Sequence, residues 1–205
     1  LKPLHKKIVM SATYRQSATH DAAKQKADPL NKLHWRRTPA RLQAEVIRDS
    51  LLKMRGLLDT RMYGAGTLDE RMKRRSIYFM IKRSKLIPTM QLFDSPEPLV
   101  SQGSRPATII APQALHFMNN AQVREAAVAL AGQFEKKIED EGAISLAYQT
   151  VVGREPTQAE TKSITTFMNA QAESYKAAGR NDARKLALAD LAQVLFGLNE
   201  FIYVN

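Results

Sequence analysis

The chain has no cysteine in 205 residues. That excludes disulfides, thiolate metal sites, a cysteine nucleophile and covalent attachment of a c-type haem, so no cofactor is expected in this chain. Histidine is scarce as well: His5, His20, His34 and His116 stand at no spacing that suits a shared ion, and no metal site is expected. Nowhere do apolar residues run for the ~20 positions a membrane-crossing helix needs, so no span is expected. Aromatics make up 7% with a single tryptophan, and only Tyr78 and Phe79 stand near the main basic run. That is thin for a surface that stacks single-stranded bases. No helix-turn-helix, zinc-finger or RNA-recognition signature occurs. Gly64-Ala65-Gly66 lacks both the Lys-Ser/Thr pair and the preceding strand of a phosphate cradle. No catalytic motif stands above background. Residue 1 is leucine and no signal peptide is legible, so the chain reads as a fragment or mature segment.

What is present is the composition of a folded protein, 44% apolar and 25% charged. The length suits one domain over 1–205, or at most two closely packed subdomains. Its charge is uneven. Residues 1–105 carry 22 Lys/Arg against 9 Asp/Glu, whereas residues 106–205 carry 9 against 11. A basic leading half beside a near-neutral trailing one suggests an anionic partner: nucleic acid, acidic polysaccharide, a membrane surface or an acidic protein. A solvated basic face, or carboxylates supplied by a neighbouring domain, would leave the same imbalance.

The expected fold is mainly α, a helical bundle with one short two-stranded β ribbon. Leu4, Ile8 and Val9 mark a short basic helix ending near Ser11, followed by loop to Ala27 and a turn at Asp28-Pro29-Leu30-Asn31. Trp35 is expected as a core anchor. Thr38-Pro39 reads as a helix start, with Leu42, Val46, Ile47, Leu51 and Met54 inward as far as Gly56. The ribbon is expected to pair residues 76–82, an apolar run between cations, with 107–111. Helices then follow from Pro112, from Asn120, from about Glu141 to Val152, from the capping box Thr157-x-x-Glu160 to Gly179, and from Asn181. Asn199–Val204 reads as an extended tail. Residues 106–205 are thus the bundle half and 1–105 the basic half.

Two groups of residues could carry chemistry. Glu45 and Asp49 lie one turn apart, as an acid and base would, with Arg41 and Arg48 on the same face. The arginines argue instead for a structural ion-pair network, so no catalytic residue is assigned. Arg48, Arg74, Arg75, Lys82, Arg83 and Gln113 are the candidates for holding an anion. Three functions stay open: an interaction module with a basic face, an enzyme on anionic polysaccharide using Glu45 and Asp49, and a basic nucleic-acid binder.

A resemblance narrows the setting. Ser11-Ala-Thr-Tyr14-Arg15-Gln16-Ser17, Asp28-Pro-Leu-Asn31, Arg41-Leu-Gln-Ala-Glu45-Val-Ile-Arg48-Asp49, Arg74-Arg75-Ser76-Ile77-Tyr78, Phe93-Asp94-Ser95-Pro96, Ala111-Pro112-Gln113-Ala114-Leu115 and Leu198-Asn199-Glu200-Phe201 stand in that order. They resemble the C-terminal domain of unknown function of planctomycete-type, cytochrome-c-associated multidomain proteins. That family domain starts further upstream, so the resemblance implies a domain truncated at its N-terminus. It also implies an extracytoplasmic location, periplasmic or cell-surface, with haem only in a separate cytochrome-c-like domain. Other domains of the same polypeptide, or an anionic polysaccharide, are then the expected partners, and nucleic acid is disfavoured. No activity comes with it.

Overall fold

The computed structural model describes residues 1–134 and 141–204. The described residues are mainly helical, with one two-stranded antiparallel sheet. They fall into two compact units, Leu1–Arg41 with Tyr203–Asn205, and Leu42–Ile202.

The first unit has no fully buried side chain among its described residues. The expected short basic helix is present as α1 (Lys2–Met10), but Leu4, Ile8 and Val9 stay exposed. A second helix, α2 (Ala22–Ala27), stands where loop was expected, because the Asp21 carboxylate accepts from the amides of Ala23 and Lys24. Trp35 is half-buried rather than a core anchor. Its Nε1 donates to the Asp28 carbonyl, and Arg36 lies 4.9 Å over its ring. Asn31, at φ 52, bonds Arg36 through both the carbonyl and the amide. This unit therefore rests on local polar bonds more than on apolar burial.

Its sheet pairs β1 (Ala40–Arg41) with β2 (Tyr203–Val204). The ribbon expected at 76–82 and 107–111 is not there. Residues 76–78 form a 3₁₀ turn, and 107–110 have no regular structure. The apolar run at 76–81 suggested a buried strand, yet Ile77 is 70% and Ile81 78% exposed, and Phe79 forms an isolated bridge to Thr67 instead.

In the second unit the helix expected from Thr38-Pro39 begins later, as α3 (Ala44–Met54). Ala40–Arg41 is held in the sheet, and the Leu42 amide donates to the Ile202 carbonyl. Gly56, at φ 67, follows its end, the left-handed position glycine takes most easily. A short helix, α4 (Pro88–Leu92), stands where none was expected, with proline at its first position. The remaining helices lie close to expectation: α5 (Ala111–Asn119), α6 (Ala121–Gln133), α7 (Glu141–Val151), α8 (Gln158–Ala177) and α9 (Ala183–Phe196). Asn120 and Thr157 cap α6 and α8 as read, but α9 starts after Asp182, with no side-chain cap from Asn181. The tail from Asn199 is a turn of helix, α10 (Asn199–Ile202), before β2.

The α9 helix runs through the middle of the core. Ala187, Leu188, Ala189, Leu191, Ala192, Leu195 and Phe196 are all buried, more than one stripe, as a helix packed on several sides requires. It packs on α6 and α8, and its alanines leave room for their backbones. Phe93, Phe117, Phe196 and Phe201 continue the core as ring pairs 5.2 to 6.2 Å apart. The Gln193 amide on α9 donates to the carbonyls of Phe117 and Met118, satisfying acceptors at the end of α5.

Candidate functional site

The α3 helix carries Glu45, Arg48 and Asp49, though not as an exposed charged face. Arg48 is 5% exposed. Its guanidinium donates to the carbonyls of Glu70, Met72 and Arg74 and to Ser76 Oγ, and lies 4.6 Å over the Phe79 ring. Burial pulls its proton affinity below the ordinary value, while Asp49, Glu70 and Asp69 oppose that. One side chain thus gathers the loop 70–79 onto α3. Asp49 assists: its Oδ1 accepts from the Ser76 amide at 2.8 Å and from Ser76 Oγ at 2.7 Å. Arg74 works the same way at the next turn. It lies 3.6 Å over Tyr78 and donates to the carbonyls of Arg61, Tyr63 and Ala65. Gln113 is buried on α5, where it donates to the Leu92 carbonyl and its Oε1 accepts from the Ile110 amide.

Three of the anion candidates, Arg48, Arg74 and Gln113, are therefore committed to main-chain groups of this chain. The carboxylates are committed too. Glu45 accepts from Arg105 at 2.8 Å. Burial pushes the Glu45 carboxyl up, but the Arg105 hydrogen bond and charge outweigh it, and the group lies below its ordinary range. A general acid needs the opposite shift. Glu45 and Asp49 thus serve different partners, one in the loop near Arg105 and one at Ser76, and share no proton. Nearby acids are used likewise: Glu70 accepts from Thr89, and Asp94 from Thr108.

The exposed charge is elsewhere. Between Arg71 and Lys85 the chain carries seven cations and no acid. Arg74 turns inward. Arg71, Lys73, Arg75, Lys82, Arg83 and Lys85 are exposed, and among the described residues their side chains form no ion pair or hydrogen bond. Over 71–75 exposure alternates residue by residue, with Met72 and Arg74 turned in and the cations beside them turned out; Arg74 is held in a bridge to Asp59. The Asp59 amide donates to the Lys73 carbonyl and ties that segment down. Lys82 to Lys85 is a turn closed by the Lys85 amide on the Lys82 carbonyl, with three cations on it. Arg75, Lys82 and Arg83 are thus candidates that face solvent. Arg71, Lys73 and Lys85 join them; the alternation Arg-x-Lys-x-Arg was the legible signal. Arg105 carried none, being 60 residues from its partner Glu45.

Among the described residues no three His, Asp or Glu side chains converge as a metal site, and no helix is long and apolar enough to cross a membrane. Residues 1–168 match the family described as a protein of unknown function (DUF1553). The chain belongs to that family. Neither a curated protein nor a solved structure matches it. Membership of DUF1553 assigns no chemistry, so function must be argued from the side chains.

Proposed function

We propose that this DUF1553 domain is a non-catalytic interaction module that docks an anionic partner through the exposed cations of residues 71–85. The observation that carries the reading is the contrast within one segment. Arg48 and Arg74 fix the backbone from inside, while six neighbouring cations have no acid paired with them among the described residues. Holding such charges together without a partner costs self-repulsion, which a docked anion relieves. Glu45 and Asp49, the acids an enzyme would need, are already engaged by Arg105 and Ser76.

The resemblance to planctomycete-type, cytochrome-c-associated proteins supplies the setting for this reading. The domain is extracytoplasmic, and the anion belongs to another domain of the same polypeptide or to an acidic glycan. A cytochrome-c-like neighbour would carry its own haem, with none bound here. Nucleic acid does not fit that location.

Binding of polyglutamate, heparin and double-stranded DNA to the wild-type chain and to Arg71→Glu/Lys73→Glu/Arg75→Glu tests it. The reversal is expected to weaken polyglutamate or heparin binding at least tenfold with the helical circular dichroism unchanged. DNA binding tighter than both, with a steep loss in salt, would instead favour a nucleic-acid binder.

A further inference from the structure

Beside the cations lies a groove of about 480 Å³ in the second unit, between residues 76–91 and the proline-rich loop 94–106. One wall is apolar: Ile77, Phe79, Met80 and Ile81, with Pro96 and Pro98 opposite. Ile77, Met80 and Ile81 are exposed to solvent in it, a grouping that soluble surfaces rarely leave without use. The loop is tied to α3 by the Arg105–Glu45 pair, and Asp94 at its start is held by Thr108 beyond its end, so this side of the groove is anchored. Among the described residues Lys82 and Lys85, which also line it, form no ion pair, and Glu97 is the one lining acid whose side chain makes no bond.

We infer that this groove receives bulky apolar side chains from an extended, acidic polypeptide segment, whose carboxylates meet Lys82, Lys85 and the outward row Arg71, Lys73 and Arg75. This rests on the reading of the cationic face and names its partner. Both features discriminate. A glycan or a nucleic acid would meet the cations but has no use for a row of isoleucine and methionine, whereas a protein interface needs an apolar centre inside a charged rim. Residues two apart on an extended chain recur every ~6.6 Å. Lys73 and Arg75 turn outward on either side of Arg74, which is bridged to Asp59, in that alternation. An extended partner carrying apolar and acidic residues in alternation repeats at the same distance.

The probes are two short synthetic peptides of Glu and Asp, one with Phe and Leu two residues apart at its centre and one with Ser at both places, and a heparin-derived oligosaccharide. Affinity is read by fluorescence anisotropy at physiological salt. The Phe/Leu peptide is expected to bind about tenfold or more tighter than the Ser peptide, the effect of burying one large apolar side chain. Ile81→Asp is expected to erase that difference, and Lys82→Glu/Lys85→Glu to weaken both peptides alike. All three positions are exposed, so the fold should survive, checked by circular dichroism. Equal binding of the two peptides, or heparin binding tighter than either, overturns the groove assignment while leaving the cationic face intact. No binding by any probe overturns both.

Discussion

Arg48 shows how a residue that looks functional becomes structural. It stands three residues from Glu45 and next to Asp49 in sequence, but its donors are spent on carbonyls of Glu70, Met72 and Arg74 and on Ser76 Oγ. Truncating it leaves buried acceptors unpaired, so Arg48→Ala is expected to cost about 3–5 kcal/mol in chemical denaturation. Arg48→Lys should recover little, since an ammonium cannot span acceptors that the planar guanidinium reaches together. A loss below about 1 kcal/mol would show that the loop 70–79 does not depend on it. At the α8 N-terminus, Arg154 donates to both Glu160 and Glu200. The Arg154 hydrogen bonds, helped by those from Thr157, hold Glu160 at about 2, below its ordinary 4.5. A depressed carboxylate contributes stability that is complete above the unfolded value and lost as pH falls through the folded one. The Tm of the wild type is therefore expected to fall between pH 4.5 and about 2 more than that of Glu160→Gln, as read by thermal unfolding.

Among the elements, α9 carries the packing. Leu188 is fully buried where α6 and α8 meet it, so Leu188→Ala is expected to cost about 2–5 kcal/mol by denaturant titration. Asn120→Ala should cost about 1 kcal/mol, since its side chain caps α6 through the Gln122 amide. These helices were legible in sequence because their signals are local: Asn120, Thr157 with Glu160, and the glycines at 56, 153 and 179, all at positive φ. The ribbon was not. Its real strands, Ala40–Arg41 and Tyr203–Val204, are two residues each, too short to show a period and more than 160 positions apart. That pairing also displaces the start of α3 from the N-cap signal at Thr38. At 76–81 the apolar run meant an exposed wall rather than a buried strand, a distinction that hydrophobicity alone does not carry.

For the molecule as a whole, the charge asymmetry was visible in composition, but which cations matter was not. That depends on which side chains the fold turns inward. Arg48, Arg74 and Arg75 look alike in sequence, and of the three Arg75 alone faces solvent with no side-chain bond among the described residues. Net charge alone would favour binding of any polyanion anywhere on the basic half, whereas a docking face requires that particular cations dominate. The most direct test compares two neutralised variants of equal charge by the salt dependence of heparin affinity. One is Arg71→Gln/Lys73→Gln/Arg75→Gln, and the other is Lys2→Gln/Lys6→Gln/Lys7→Gln on α1. The first is expected to lower the slope of log K against log salt by up to about one for each cation removed, and the second to leave it nearly unchanged. Equal loss from both variants would contradict a docking face at residues 71–85.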